Sequence, residues 1–201
     1  MNSYYSLMDA WQAFETGQYE LAATIWKALI EIAPDAETRR SHASGYSQVL
    51  IAQGKWDEAR ALLQQLLAET GEAQYFHQLG QLERRAGRPE IALEQFQAEA
   101  KLLEAADPYS LAANRCESAY AALEMGDRHL ALAQAEAALT AARTSSDPGV
   151  EAGTHRLLGE IAAAEGNLQR ARECYADAAV SYAMAGDPAA EQEMADRIAK
   201  I

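Results

Sequence analysis

The residues best suited to chemistry are four histidines, two cysteines and 30 acidic side chains, spread over 201 residues. Glu151 and His155 lie four residues apart, a spacing that puts two side chains on one helix face and supplies half of a di-metal site. Such a site needs further carboxylates from facing helices, and the sequence has none at equivalent positions. A contact at the surface or at a helix end explains this pair better. We therefore expect no metal and no other cofactor.

The cysteines and the common catalytic motifs do not indicate a reaction either. Cys116 is followed by Glu117 and has no adjacent basic residue that would lower the pKa of its thiol. The chain contains no Gly-x-x-x-x-Gly-Lys phosphate loop, no His-Glu-x-x-His, no Cys-x-x-Cys and no Gly-x-Ser-x-Gly elbow. We interpret Cys116 and Cys174 as small hydrophobic residues, and we expect a protein that is not an enzyme.

Charge and hydropathy exclude several classes of partner. The net charge is −13, from 17 basic and 30 acidic residues, and both halves of the chain are acidic. Nucleic acids and anionic membrane surfaces require clusters of Lys and Arg, which this sequence lacks. No uncharged apolar stretch approaches the roughly 18 residues of a membrane span. Residues 1–7 do not resemble an export signal, and two distant cysteines are typical of a reducing compartment. We therefore expect a cytoplasmic protein that binds neither nucleic acid nor membrane.

A repeated glycine register divides the chain into helical hairpins. A helix often ends at a glycine, because the residue after its last turn takes a positive φ that glycine adopts most easily. Five glycines have this place, namely Gly17, Gly54, Gly87, Gly126 and Gly166. An alanine follows each of them by five residues, at Ala22, Ala59, Ala92, Ala131 and Ala171. A small residue precedes each by seven, at Ala10, Ser47, Gly80, Ala119 and Gly159.

The residue nine positions after each glycine is bulky in four of the five cases. These positions hold Trp26, Leu63, Phe96, Ala135 and Tyr175. Small residues on facing surfaces let two antiparallel helices approach closely, while a bulky residue fills the gap towards the next pair. The register therefore indicates an internal repeat of five hairpins.

This order of small residue, glycine turn, alanine and bulky residue resembles the tetratricopeptide repeat (TPR) family. The spacings between successive turn glycines are 37, 33, 39 and 40, and the longer ones are similar to the long-helix variants of kinesin light chains and bacterial signal-sensing regulators. The chain also resembles bacterial TPR proteins of similar length. The resemblance implies an all-α, right-handed solenoid in one domain, residues 1–201. Its hairpins are predicted at 3–33, 37–70, 72–105, 108–145 and 148–185, and a C-terminal capping helix at 188–201.

Three Asp-Pro pairs support the later helix boundaries. They recur at a constant spacing, at Asp107-Pro108, Asp147-Pro148 and Asp187-Pro188. An Asp N-cap followed by Pro at the first helical position is a common helix start. We therefore predict that helices begin near residues 108, 148 and 188. The last of them has an apolar face, formed by Ala190, Met194, Ile198 and Ile201, that would cover the open end of the repeat stack.

In the resembling family, the first helices of the hairpins line a concave groove in which peptides bind. The resemblance implies groove positions at Ser44, Gln48, Gln74, His77, Gln81, Arg84, Arg85, Cys116, Tyr120, Glu124, Arg156 and Glu160. This mixture suits a polar extended peptide or a partner helix, with Arg84, Arg85, Tyr120 and Arg156 as the expected anchors. The alternative is that these side chains only solvate the surface. The family's chaperone-tail clamp is not expected, because the corresponding positions hold Leu7, Trp11, Gly45, Gln74 and Gln78.

The first predicted helix has a separate apolar stripe, formed by Tyr4, Leu7, Trp11 and Phe14. Either this helix is rotated and the stripe belongs to the core, or the stripe is exposed and serves self-association as a homodimer or contact with an apolar partner. For the whole chain we predict a non-catalytic protein- or peptide-binding repeat module. The alternatives are a ligand- or peptide-responsive regulatory protein and a secretion-type chaperone.

Overall fold

The computed structural model describes residues 5–103 and 107–201, and over these ranges the chain forms eleven α-helices and no strand. The helices are α1 (Leu7–Glu15), α2 (Tyr19–Glu31), α3 (Ala36–Ala52), α4 (Trp56–Thr70), α5 (Ala73–Arg85), α6 (Pro89–Ala100), α7 (Pro108–Glu124), α8 (Arg128–Ser145), α9 (Pro148–Ala164), α10 (Leu168–Ala185) and α11 (Pro188–Ala199). The predicted all-α class is confirmed. None of the helices in the described ranges is both long and apolar enough to cross a membrane.

The helices form two compact units. The first unit ends at Ala86 and contains α1 to α5, and the second begins at Gly87 and contains α6 to α11. Within the first unit, consecutive helices pack against each other from α1 to α5. Within the second, the same holds from α6 to α11. The organisation of residues 1–201 as one domain stays a prediction.

The three Asp-Pro pairs begin helices as predicted. Pro108, Pro148 and Pro188 are the first residues of α7, α9 and α11. The carboxylate of each preceding aspartate accepts a backbone N–H of the first turn: Asp107 from Ser110 at 3.1 Å, Asp147 from Gly149 and Val150 at 2.9 and 3.0 Å, and Asp187 from Ala190 at 3.0 Å. These bonds satisfy donors that have no partner within the helix.

The first described helix begins at Leu7, and the predicted start at residue 3 lies outside the described residues. Ser6 caps it in a reciprocal arrangement with Asp9: the Ser6 backbone N–H donates to Asp9 Oδ2 at 2.8 Å, and the Asp9 N–H donates to Ser6 Oγ at 3.2 Å. This capping box gives the acidic side chain of Asp9 a structural role at the start of α1. The predicted end of the third hairpin at residue 105 lies outside the described residues, and α6 ends at Ala100.

The glycine register is confirmed by the backbone and by burial. The five turn glycines have φ between 71° and 78°. The five alanines that follow them are fully buried. In α9 and α10, a Cβ added to Gly159 would lie 2.5 Å from Cε1 of Tyr175. The small residue therefore allows a large ring from the next helix to sit directly on the α9 backbone.

Three further helix ends have a left-handed residue that the register did not identify. Gly71 ends α4 with φ 69°, Gly186 ends α10 with φ 74°, and Ser146 ends α8 with φ 57°. Ser146 directly precedes an Asp-Pro pair, as Gly186 does, so the two positions are equivalent in the repeat. At Ser146 a side chain occupies a conformation that costs a non-glycine residue about 1–2 kcal/mol.

The last helix covers the apolar surface of the hairpin before it. Met194 of α11 is fully buried, and Ile198 and Ile201 pack with it against a cluster of Ala162, Ala171, Tyr175 and Ala178. This is the arrangement expected of a capping helix.

Candidate functional site

A cavity of about 360 Å³ lies in the first unit, between α1, α3 and α5. Three of the predicted groove residues line it: Ser44 and Gln48 from α3, and Gln74 from α5. Trp11 of α1 contributes an aromatic wall. The remaining lining residues are Glu37, Arg40, Ser41, Gly45, Glu72, Tyr75 and Gln78. The cavity thus combines one aromatic ring with amides, hydroxyls and charges of both signs.

Packing between two tryptophans and a glycine holds the aromatic wall in place. A Cβ added to Gly45 would lie 2.4 Å from the Trp26 ring, so only glycine lets this buried ring rest against α3. The Trp11 ring meets Trp26 edge to face, with 5.3 Å between the ring centroids, a favoured aromatic geometry. Trp11 is still 37% exposed. The Trp11 ring, which packs against Trp26, therefore presents an apolar surface to the cavity.

Hydrogen bonds organise the polar lining. The Ser44 hydroxyl lies 3.1 Å from Oε1 and 2.8 Å from Nε2 of Gln78, which links α3 to α5. The Gln74 side chain donates to a carboxylate oxygen of Glu72. Burial, followed by the charge of Glu72, raises the pKa of Tyr75. Its hydroxyl is therefore neutral at physiological pH and can donate a hydrogen bond.

The other predicted groove residues of α5 lie further along that helix. His77, Gln81 and Arg84 are half-buried, and Arg85 is exposed. The cavity does not extend to these four side chains.

A second cluster of predicted residues forms in the second unit. Arg156 Nε lies 4.0 Å from Glu160 Oε1, and Arg197 Nη1 of α11 lies 3.1 Å from the same oxygen. Burial, followed by the charge of Glu160, raises the pKa of Tyr120 to about 12. Burial alone would lower the pKa of Arg156, but Tyr120, Tyr182 and Glu160 more than offset this and the net shift is upward. The cluster thus keeps Tyr120 neutral and Arg156 charged at physiological pH.

The remaining predicted positions of α7 border this cluster. Cys116 is half-buried, and its sulfur lies 3.4 Å from the Thr154 hydroxyl. Burial raises the pKa of the Cys116 thiol, so the thiol is protonated, as expected of a small hydrophobic residue. Glu124 is exposed at the last position of α7.

Of the two contacts expected for the Glu151–His155 pair, the structure fits the one at a helix end, because Glu151 lies in the first turn of α9; the surface contact does not fit, because His155 is buried. His155 is only 6% exposed. Its Nε2 lies 3.6 Å from Glu151, and its Nδ1 lies 3.8 Å from Asp177 of α10. The imidazole is buried because α9 turns this face towards α10. The two carboxylates flank opposite ring nitrogens, and residues 5–103 and 107–201 contain no group of three or more metal-binding side chains.

The N-terminal apolar stripe is divided between core and surface. Phe14 is half-buried and packs beside Tyr19, with 5.8 Å between the ring centroids. Leu7 is 46% exposed, and Tyr4 lies outside the described residues. The core face of α1 is formed instead by Ala10 and Ala13. The interpretation of the stripe as core thus holds for Phe14 and not for Leu7.

Sequence reasoning missed several residues of the first-unit cavity. Arg40 and Ser41 precede Ser44 by four and three residues, and therefore lie on the same face of α3. Helical spacing from the predicted position would have identified both. Glu72 and Tyr75 stand at and just inside the start of α5, where a repeat template gives no indication of a cavity.

Comparisons with known proteins agree with this architecture. The pattern of the tetratricopeptide repeat matches residues 13–82 and 116–191. No curated protein matches the sequence. Among solved structures, TTC0263, a thermophilic TPR protein in Thermus thermophilus, is 18% identical with a TM-score of 0.70, covering 96% of this chain and 95% of that one.

Two further structures share the fold. The nearly identical TPR-like repeats of a kinesin-light-chain-type protein from Podosopora anserina are 20% identical with a TM-score of 0.66, covering 87% of this chain and 92% of that one. A signal transduction ATPase with a TPR sensor, PH0952 from Pyrococcus horikoshii, is 16% identical with a TM-score of 0.75, covering 92% of this chain and 30% of that one. At these identities the likeness concerns the fold alone.

Proposed function

The chain belongs to the tetratricopeptide repeat family, and from this premise we propose that it binds a polar extended peptide of a partner protein in the first-unit cavity. Repeats of this family are protein-interaction modules, which is the general role of this chain. The observation that carries the narrower proposal is the meeting of Ser44, Gln48 and Gln74 with Trp11 around one cavity. Such a site would bind without catalysis and without a cofactor.

The chemistry of the lining favours an extended backbone with one large side chain. Gln48, Gln74 and Gln78 carry amide groups that both donate and accept hydrogen bonds, as the peptide groups of an extended chain require. Trp11 offers a partly exposed ring face to an apolar or aromatic side chain. Rigid aromatic contacts surrounded by adaptable polar groups are typical of peptide-binding surfaces.

The lining charges set the polarity of the proposed peptide. Glu37, Glu72 and Arg40 lie at the cavity, so the peptide would meet charges of both signs. The net charge of −13 adds a long-range attraction for basic partners. The proposed peptide is therefore polar and basic overall. We propose that it is bound in the cytoplasm.

A peptide-display selection followed by titration tests the proposal. Short random peptides would be selected on the purified protein, and the selected peptide titrated by calorimetry. Gln48→Arg places a larger cation in the cavity, and Trp11→Ala removes the aromatic wall. We expect each change to weaken binding about tenfold or more, because each removes a central contact.

Gln64→Arg is the matched control for the cavity variant. Gln64 is exposed on α4 and does not line the cavity, so the same change of side chain and charge should alter affinity less than about twofold. Equal affinity of Gln48→Arg and the unmodified protein would overturn the proposal. So would selected peptides that depend on Tyr120 and Arg156 instead of Trp11.

A further inference from the structure

The first unit has a second cavity, of about 410 Å³, in which apolar side chains predominate. It lies between α2, α3 and α4, whereas the proposed peptide site lies between α1, α3 and α5. Its apolar lining consists of Ile30, Ala36, Ala43, Tyr46, Leu50, Leu62 and Leu66. A cavity of this volume with a mainly apolar lining and a few charged groups has the properties of a small-molecule site.

The apolar lining follows from helical spacing. Ala43, Tyr46 and Leu50 lie at intervals of three and four residues on one face of α3, and Leu62 and Leu66 lie four residues apart on α4. Ile30, Tyr46 and Leu62 are only partly buried. The cavity therefore keeps apolar surface accessible, against which the burial of a long alkyl or aromatic group would be favourable.

Two cations line this cavity, and a third lies beside one of its lining rings. Arg39 and Arg40 line it from the first turns of α3. The Lys27 ammonium lies 5.5 Å from the centre of the Tyr46 ring, which belongs to the lining. Among the described residues, none of these three cations has a carboxylate within 4.0 Å. In a chain with 30 acidic and 17 basic residues, three neighbouring cations without an ion pair indicate an anionic ligand.

The carboxylates at the cavity already have compensating interactions. Glu69 accepts a hydrogen bond from Gln65 Nε2 at 2.9 Å. Glu58 lies in the first turn of α4, where the helix dipole stabilises negative charge. Arg39 and Arg40 lie near the N-terminus of α3, where the helix dipole disfavours positive charge. The N-cap carboxylate of Asp35 offsets this for Arg39, and the hydrogen bonds of this cap, followed by the charge of Arg39, lower the pKa of Asp35. A bound anion would add a further favourable partner.

From this combination we infer that the second cavity binds an anionic amphipath, namely a carboxylate with an alkyl or aromatic body. The apolar body lies against Tyr46, Leu62 and Leu66, and the carboxylate is held by Arg39, Arg40 and Lys27. A volume of about 410 Å³ accommodates one chain of about 8–12 carbons. A partner helix, about 10 Å across, would need a longer and wider groove. This site is independent of the proposed peptide site, although Arg40 borders both cavities.

Calorimetry with three ten-carbon probes tests the charge requirement. Decanoate, decanol and decyltrimethylammonium have the same alkyl chain and differ in their head groups. They would be titrated into the full-length protein below their aggregation concentrations. We expect decanoate to bind with a Kd below about 1 mM and at least about tenfold more tightly than decanol. The cationic probe should bind more weakly still.

Two variants and a control test the location. Arg39→Gln removes a cation at the cavity, and Leu62→Trp fills its apolar part. Each should weaken decanoate binding about fivefold or more. Arg128→Gln makes the same charge change at an exposed position of the second unit and should leave the affinity within about twofold. Methyl NMR of the unmodified protein should show decanoate-induced shifts at Ile30, Leu62 and Leu66, a readout that does not depend on whether Leu62→Trp folds.

Several results would overturn the inference. They are no decanoate binding up to about 1 mM, decanol binding as tightly as decanoate, equal effects of Arg39→Gln and Arg128→Gln, or methyl shifts confined to other parts of the chain.

Discussion

Two glycines of α9, six residues apart, have opposite surroundings. A Cβ at Gly159 would lie 2.5 Å from the Tyr175 ring, whereas a Cβ at Gly153 would meet no atom within 4 Å. Gly159→Ala should therefore displace the ring and lower the free energy of unfolding by about 1–3 kcal/mol. Gly153→Ala should raise it by about 0.5–1 kcal/mol, because alanine is the better helix former.

Chemical denaturation of the unmodified protein and both variants checks this pair. The two changes add the same methyl group to the same helix, so helix propensity alone would shift both in the same direction. Equal shifts, or a stabilised Gly159→Ala, would show that the Tyr175 ring does not depend on the small residue. Ala171→Leu should also lower the free energy of unfolding, by about 1–3 kcal/mol, because Ala171 is fully buried. This variant is a second test of the assigned repeat register.

At the level of single residues, the sequence identified packing better than it identified binding. The buried alanines and the small residues facing the next helix were predictable, because they recur at fixed distances from the turn glycines. Ser146 was missed, although its place directly before an Asp-Pro pair, like that of Gly186, marks an equivalent helix end. The spacing of glycines predicts where helices end. Serine is not a residue type distinctive of the left-handed conformation, so the residue type at position 146 does not indicate a helix end.

At the level of helices, the Asp107 cap predicts a dependence of stability on pH. The Ser110 hydroxyl, followed by its backbone N–H, lowers the pKa of Asp107 in the folded protein. A carboxyl whose pKa is lower when folded stabilises the fold above its unfolded pKa, and this contribution is lost as the pH falls through the folded pKa. The loss should therefore begin below about pH 4.

Asp107→Asn isolates this contribution. Asparagine caps a helix about as well as aspartate but does not titrate. Between about pH 5 and pH 2, the unmodified protein should lose more free energy of unfolding than the variant, by about 0.3–1 kcal/mol at low ionic strength. Asp196→Asn, the same change at an exposed position near the C-terminus of α11 that caps no helix, serves as the control. Parallel pH profiles for Asp107→Asn and the unmodified protein would contradict the expectation.

Helix boundaries were predictable where two adjacent residues mark them and less so where the cap depends on two residues three positions apart. Each Asp-Pro pair carries both the cap and the first helical residue, and all three helix starts were correct. The start of α1 depends on reciprocal bonds between Ser6 and Asp9. In the sequence alone, Asp9 does not by itself indicate a helix start.

At the scale of the whole molecule, the candidate site was only partly predictable. The repeat template places Ser44, Gln48 and Gln74 on first helices of hairpins, and these residues meet at one cavity. The template cannot show that Trp11 joins them, because its ring position depends on contact with Trp26. It also cannot show that Arg197 of the last helix contacts Glu160, although the i,i+4 spacing of Arg156 and Glu160 predicts their own contact.

The exposed face of α1 leads to a prediction about oligomeric state. Leu7, Met8 and Trp11 are 46%, 77% and 37% exposed, and together they form an apolar patch on one helix. Two copies of this patch would be self-complementary in a two-fold dimer. We expect light scattering at about 100 µM protein to give a mass approaching twice the 21.9 kDa of the chain.

Two methionines of nearly equal exposure provide the variant and its control. Met8→Glu places a charge in the α1 patch, and Met184→Glu makes the same change on α10, where Met184 is 74% exposed. Met8→Glu should return the mass to that of one chain, because an unpaired charge at an apolar interface is costly, while Met184→Glu should not. Met8 does not line the first-unit cavity, so peptide affinity should persist in Met8→Glu and fall in Trp11→Glu. A single-chain mass for the unmodified protein at this concentration would contradict the dimer and leave the peptide proposal to its own test.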